Sequence, residues 1–563
     1  MSSTVQESVT HPAPHRTHTV SNQPDPRTDV NEFLVDTALV EGVERHDAAW
    51  ASDELTHIGA LVGSNDFQRD AELANSIFPE FRPFDRWGNR VDEVEYHPAY
   101  HRIISAAVAH GAHTSAWADP KPGANVARAA TFMLFSQVEP GHACPISMTH
   151  AVIPSLELQP DVAARWVPRA LSRSYSGTLD LPGKGSALFG MSMTEKQGGS
   201  DVRANTTIAV PAGRGGPGAD YLLTGHKWFC SAPMSDAFLV LAQAEGTAGS
   251  GLSCFLLPRI LPDGERNTFR IQRLKNKLGN KSNASSEIEL DGSVAVMIGE
   301  PGRGVRTIIE MVSQTRLDCI LGSAAGMRQS VAEALWHARH RSAFGTVLAD
   351  QPAMKSVLAD LALESEAATI TALRLARAQD VDADDHEKSF RRLATAVAKY
   401  WICKRGPHHA YEALECLGGN GYTEDFPLAR RYREQPVMAI WEGSGNVIAL
   451  DVLRAMTREP DSVVAFDHEV NLARGGNPLL DRHLDRVRQQ VKELAGMDLV
   501  DAQLRARTVV EAMALALQAS LMIRHVPNAS AEAFIVGRLG RDRGHEYGTL
   551  PIGTRFDQIL ARA

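Results

Sequence analysis

The sequence predicts an α+β multidomain protein: an N-terminal helical domain, a central antiparallel β domain, a C-terminal helical bundle and an extra C-terminal helical domain. Three observations predict it. Apolar residues recur at helical spacing from about residue 32, as in Phe33-Leu34, Leu39-Val40, Leu55, Ile58 and Leu61-Val62. Between 190 and 300 the period changes to short β-branched or apolar runs separated by Gly, Pro and Asp. From Gly302 the helical period returns and continues through the rest of the chain.

Taken in order, residues 1–31 hold Ser, Thr, Pro, His and Asp with almost no large apolar side chain, and read as a disordered leader. Residues 32–189 read as all-helical, with further helical stretches at 100–109, 125–138 and 162–171. In the β domain, 190–300, strands are expected at 206–210, 221–224, 237–244, 253–257, 268–273 and 287–290. The run Gly213-Arg-Gly-Gly-Pro-Gly218 matches the spacing of a dinucleotide fingerprint, but Pro217 falls inside it and a strand follows, so it reads as a hairpin loop. The bundle occupies 301–456, with helical runs at 305–321, 326–340, 351–377, 388–417 and 446–456. The last part, 457–563, is helical with loops at Gly475-Gly476-Asn477-Pro478 and Pro527-Asn528.

Composition narrows the function classes. A net charge of −9 argues against a nucleic-acid footprint over the whole surface. Six widely spaced cysteines with no C-x-x-C fit reduced thiols in a cytoplasmic protein better than a disulfide framework or zinc site. There is no H-E-x-x-H and no P-loop. No membrane span and no signal peptide is expected. No metal site is expected either: His337 and His340 lack a third ligand, and the adjacent His408 and His409 point to different helix faces.

The loop at 191–201, Met-Ser-Met-Thr-Glu-Lys-Gln-Gly-Gly-Ser-Asp, is the densest in chemistry. Gly198 and Gly199 permit a close backbone approach, Thr194 and Ser200 offer hydroxyls, and Met191 and Met193 suit a flat aromatic ligand. An ordinary glycine turn is the competing reading. Glu195 and Lys196 read as a turn ion pair worth little.

Separated motifs resemble the acyl-CoA dehydrogenase family. They are the 191–201 loop, Trp228-Phe229-Cys230-Ser231, Lys277-Leu278-Gly279, Thr315-Arg316, Arg341-Ser-Ala-Phe344-Gly345 with Gln351, Leu417-Gly418-Gly419-Asn420-Gly421-Tyr422, and Trp441-Glu442-Gly443-Ser444-Gly445-Asn446. The wording of several is similar to the AidB-like branch, linked to the adaptive response to alkylation, whose extra C-terminal domain would account for 457–563. The resemblance implies FAD as cofactor, an acyl-CoA or related thioester as substrate, an electron-transfer acceptor and a homotetramer. It makes Glu442 the base that removes the substrate's α-proton. Read alone, without the matched motifs, Glu442 is better taken as a helix N-terminal acid favoured by the dipole. Thr315 stands where another branch of the family carries its glutamate, so Glu442 has no rival there. Met191, Met193, Thr194 and Ser200 would line the isoalloxazine, with Phe229, Cys230 and Ser231 on its other side, although strand alternation sends Trp228 and Cys230 to the face opposite Phe229. Trp441, Ser444 and Asn446 would complete the flavin site. Arg341, Phe344, Gln351, Gly418 and Gly419 would hold the diphosphate and adenine end of a neighbouring subunit's FAD. Ser200 and Arg316 are candidates to face the acyl-CoA.

AidB-like proteins also imply duplex DNA as a partner of the C-terminal domain. Arg454, Arg482, Arg486 and Arg488 are the candidates. Against them, residues 461–563 carry thirteen Lys and Arg and thirteen Asp and Glu, which is not a basic surface overall, and Asp481 and Asp485 interleave the arginines. A flavoenzyme, a DNA-associated protective or regulatory flavoprotein with feeble activity, and an acyl-chain binding protein all remain open at this point.

Overall fold

A computed structural model describes residues 17–179, 184–245 and 250–563. The four-part order holds, and three of its details differ from the sequence reading.

The first concerns the leader. Residues 1–16 lie outside the described residues, but from Asn22 the chain is strapped onto the bundle. The Asn22 side chain donates to Ser342 O (2.8 Å) and accepts from Ser342 N (2.7 Å), while Trp336 Nε1 donates to Asp25 O (2.7 Å). Arg27 then forms a buried pair with Glu32, Nη2 to Oε2 2.9 Å. Composition signals disorder because these residues bury no apolar side chain. They are held by polar contacts to distant backbone, which composition does not reveal.

Second, the N-terminal domain is not all-helical. Strands β1 (Glu80–Phe84) and β2 (Arg90–Glu95) form an antiparallel hairpin. Their charge-rich sequence lacks clean alternation. Arg90 and Arg259 tie the hairpin to the β domain through Ile271 O (3.0 Å) and Asp92 O (2.8 Å).

Third, the β domain is mixed rather than purely antiparallel. Its strands are β3 (Phe189–Ser192), β4 (Ile208–Pro211), β5 (Asp220–Ser231), β6 (Ala237–Ala244), β7 (Gly251–Pro258), β8 (Arg270–Leu274) and β9 (Ser285–Ile298). β6 pairs parallel with both β3 and β4, and the remaining pairings are antiparallel. Because β7 pairs with β6 as well as β9, the path β6-β4-β5-β9-β7 closes on itself, which leaves these strands no open edge. The Gly213–Gly218 run is a loop leading into β5, as expected.

Four helices, Gly304–His340, Pro352–Arg377, Asp385–Glu415 and Pro427–Met438, form the bundle, and Gly445–Arg458 follows the glutamate turn. Helices Pro460–Asn471, Pro478–Ala495, Leu499–His525 and Asn528–Leu539 share one continuous apolar core with it. Leu499–His525 is long and apolar enough to cross a membrane, yet 78% of its most apolar stretch is buried inside the molecule. That burial is what a core helix shows.

Candidate active site

The glutamate turn joins Pro427–Met438 to Gly445–Arg458. Glu442 has φ 58° and Gly443 φ 109°. A non-glycine residue in the left-handed region is held there by its surroundings. Two cations do the holding. Arg316 Nε donates to Glu442 O (3.0 Å) and its Nη1 to Asp451 Oδ2 (2.7 Å). Lys399, almost wholly buried in the helix Asp385–Glu415, donates to Gly443 O (2.6 Å). Arg316 therefore acts on the backbone of the turn, and the structure gives it no acyl-facing role.

Burial pushes the Glu442 carboxyl above its usual range, against the Thr315 hydroxyl and the Arg316 and Lys399 charges. A poised carboxyl of this kind suits proton abstraction near neutral pH. Trp441 packs with Cys319, Cys403 and Met438 behind the turn. Ser444 is the exposed N-cap residue of the following helix. Asn446 is turned to the C-terminal helices, its Oδ1 accepting from Arg507 Nε (2.8 Å).

The β-domain loop follows β3. Met191 and Met193 are half-buried against the core beneath, Thr194 is half-buried and Ser200 exposed. The hydroxyls of Thr194 and Ser200 have no partner among the described residues, and a Cβ added at Gly198 meets nothing within 4 Å. Trp228 N donates to Thr194 O (2.8 Å), joining the loop to β5. A bulge between Lys227 and Cys230 breaks the expected alternation: Trp228 and Phe229 both come within reach of Lys275 Nζ, at 3.2 and 4.7 Å from their ring centroids. Phe229 remains half exposed. Cys230 is fully buried beside Ser192 and Ser286, so its side chain cannot line a cofactor face.

Glu195 does not pair with Lys196. Its fully buried carboxylate takes Lys227 Nζ (2.7 Å), the Thr206 amide (2.7 Å) and the Thr207 hydroxyl (2.6 Å). Burial opposes this charge, but the Lys227, Thr206 and Thr207 hydrogen bonds outweigh it and hold the carboxyl below its usual range. Sequence adjacency suggested Lys196, but the bond partner lies across the barrel on β5.

Cys144, Lys277 and Lys399 were missed in the sequence reading, as was the part Thr315 plays beside Glu442. The Cys144 thiol is pushed to about 11 by burial, with Lys277, Ser231 and Asn283 opposing and Glu442 adding. The groups that act on this thiol thus come from both the β domain and the glutamate turn. Lys277 Nζ donates to Asn283 O (2.5 Å) and Ser285 Oγ (3.0 Å), and Ser285 Oγ lies 3.2 Å from Ser231 Oγ. Burial pulls the Lys277 amine down to about 8. The Lys-x-Gly motif was the available signal for Lys277. Lys399 had none, because only the approach of two helices gives it a role.

The hydrogen bonds of the remaining flavin candidates lead to the N-terminal strap. Arg341 Nη1 donates to Asn22 O (2.8 Å), Gln351 Nε2 to Ala343 O (2.9 Å) and Asn420 Nδ2 to Gln23 Oε1 (3.1 Å). Phe344 is 99% exposed with φ 53°, Tyr422 is 85% exposed, and Gly418 and Gly419 border open space. Of the DNA candidates, Arg488 is engaged by Asp467 (2.7 and 2.8 Å) and Arg454 lies 3.4 Å from Asp451. Arg486 donates to His483 Nδ1 (2.6 Å), and only Arg482 and Arg486 are both exposed and free of carboxylates.

A helical domain, a closed β domain and a helical bundle that carries a half-buried glutamate on a strained turn define the class. The chain belongs to the acyl-CoA dehydrogenase family, matching its middle domain over residues 190–293 and its C-terminal domain over 302–457. Residues 22–177 match the N-terminal domain of the adaptive response protein AidB, which defines the branch. It is 46% identical to AidB of Escherichia coli (strain K12) over 85% of this chain and 88% of that protein. Acyl-CoA dehydrogenase family member 11 of Caenorhabditis elegans is 30% identical over 78% of this chain and 70% of its own length. The crystal structure of Caenorhabditis elegans ACDH-11 in complex with C11-CoA superimposes with a TM-score of 0.83 at 26% identity, covering 97% of both chains. The AidB match begins at residue 22, where the strap begins.

Proposed function

We propose that the protein is an FAD-dependent acyl-CoA dehydrogenase in which Glu442 removes the α-proton of an acyl thioester. The observation that carries this reading is the Glu442 turn: a carboxyl raised by burial, strained at φ 58°, and fixed by Arg316 and Lys399 through the carbonyls on either side of the Glu442–Gly443 bond. The C11-CoA complex of the Caenorhabditis elegans protein supports acyl-CoA as the ligand class. Unpartnered hydroxyls at Thr194 and Ser200, the half-buried Met191 and Met193, and the open glycine backbone between them fit the rim of a flavin ring.

FAD, when bound, supplies the acceptor for the hydride that leaves the β-carbon. Glu442 takes the α-proton, and a double bond forms between the two carbons. Trp441, Met438 and Cys319 form an apolar wall behind the turn that carries the base. Glu442 N–H lies on the turn that Arg316 and Lys399 immobilise, so it can meet the thioester oxygen without reorganising. Exposed Phe344 and Tyr422 suit packing of a second copy in a homotetramer, with Arg341, Gln351 and the Gly418-Gly419 turn reaching that copy's FAD. Reoxidation would pass to an electron-transfer acceptor, and the free thiols suit the cytoplasm.

Anaerobic titration of the FAD-loaded protein with acyl-CoAs of increasing chain length tests the reading. Bleaching of the flavin absorbance is expected, and Glu442→Gln should slow it by about 10²–10⁴-fold while FAD stays bound. Flavin that stays oxidised with every chain length would sink it.

A further inference from the structure

We propose that His408, Glu412 and Glu546 form a binding site for one divalent transition-metal ion, stapling the segment after helix Asn528–Leu539 to the bundle. His408 and Glu412 sit four residues apart on the helix Asp385–Glu415, and so share one face one turn apart. Glu546 approaches from the C-terminal segment, its Oε2 2.7 Å from His408 Nε2. One donor atom from each of the three residues lies within 4.8 Å of the other two.

Two further observations call for a cation here. Glu412 and Glu415 occupy the last turn of a 31-residue helix with no basic residue among them, where the dipole already disfavours negative charge. The neighbouring arginines are engaged elsewhere: Arg405 pairs with Glu364 (3.2 Å), and Arg538 with Asp360 (2.7 Å) and Glu364 (2.8 Å). Glu412 has no cation partner among the described residues. A bound ion would relieve the repulsion between its carboxylate and that of Glu546.

The site is also built rather than incidental. Gly548 N donates to Asp360 Oδ2 (3.0 Å) and Ser356 Oγ to Gly548 O (2.9 Å), seating the segment that carries Glu546 on the helix Pro352–Arg377. Tyr547, buried, packs its ring 5.3 Å from that of His408. An imidazole with two carboxylates favours Zn²⁺, Mn²⁺ or a similar ion over Mg²⁺ and Ca²⁺, which take oxygen ligands. His409 is not part of this arrangement: its Nε2 is committed to Leu361 O (3.0 Å) and the residue is fully buried. The sequence pairs His408 with its neighbour, while the fold pairs it with Glu412 and Glu546.

The test is calorimetric titration of the full-length, chelator-treated protein with Zn²⁺, with Mg²⁺ in parallel. One Zn²⁺ per chain and a raised unfolding midpoint are expected, with no saturable Mg²⁺ binding. His408→Ala should weaken Zn²⁺ about tenfold or more. Glu546→Gln, at an exposed position that leaves the core intact, should do the same if His408→Ala compromises folding. Absence of Zn²⁺ binding, equal binding of Mg²⁺, or Zn²⁺ affinity unchanged in Glu546→Gln would each overturn the proposal.

Discussion

Lys399 is the residue whose loss would test the strained turn most directly. Its amine donates to Gly443 O at 2.6 Å, and no carboxylate pairs with it among the described residues. A buried charge-assisted hydrogen bond of this kind contributes about 1.5–3 kcal/mol. Lys399→Met should therefore slow proton abstraction about tenfold or more, as the base leaves its aligned position. It should also move the acidic limb of the pH–rate profile. The Lys399 charge opposes the upward shift of the Glu442 carboxyl, so removing it raises that carboxyl further. The limb then moves to higher pH, by about one unit or less. A fall in rate with no movement of the limb would mean that Lys399 only packs. The motif identified Glu442 in the sequence, since a Trp-Glu-Gly-Ser-Gly-Asn run is a local pattern. Lys399 and Thr315 lie on two other helices, and no local pattern announces that both converge on the turn.

At the scale of elements, the Glu195–Lys227 pair fastens the cofactor loop to β5 inside the barrel. Breaking a buried pair by removing one partner costs about 3–5 kcal/mol, because the other charge is left uncompensated. Lys227→Met should lower the unfolding free energy by that amount, read as a lower thermal midpoint, and free the 193–200 loop, seen as weaker FAD retention on gel filtration. The sign with pH follows from the depressed Glu195 carboxyl. Its stabilisation is fully present above the unfolded value of about 4.3 and is lost as pH falls through the lower folded value. The wild type should therefore lose stability below about pH 4 more steeply than Lys227→Met. The N-terminal strap makes a second element-scale case. Asn22 sits at φ 55° and exchanges two hydrogen bonds with Ser342, directly beside Arg341. Asn22→Ala should reduce FAD retention roughly fivefold through the Arg341–Gln351 turn, with the dehydrogenase base untouched. The helices and most strands could be read from periodicity, because burial of one face writes a period into the chain. The strap, the β1–β2 hairpin and the Lys227 partner could not, because polar and long-range hydrogen bonds leave no period.

Across the whole molecule, the C-terminal helices are bound into the rest by ion pairs that consume their basic residues. Glu469 takes Arg374 and Arg524, each at 2.8 Å, and Arg562 bridges Glu41 and Glu366. Arg474, Arg488, Arg505 and Arg555 are likewise paired with Asp485, Asp467, Glu493 and Glu532. With the Arg538–Asp360 pair, these contacts fix the geometry of the C-terminal region and engage seven of the thirteen Lys and Arg in residues 461–563. On the helix Pro478–Ala495, Arg482, Arg486 and Lys492 are exposed without a carboxylate partner among the described residues, and of these Arg482 and Arg486 share one face, one turn apart. A duplex meeting this face would exchange about two counterions per chain, so the logarithm of affinity should fall with the logarithm of salt at a slope near −2 or shallower. Fluorescence polarisation with a labelled duplex between about 50 and 200 mM salt measures that slope. Arg482→Ala with Arg486→Ala should flatten it towards zero. A slope steeper than about −4 that persists in the double variant would place any nucleic-acid contact on another face, assembled from more than one subunit.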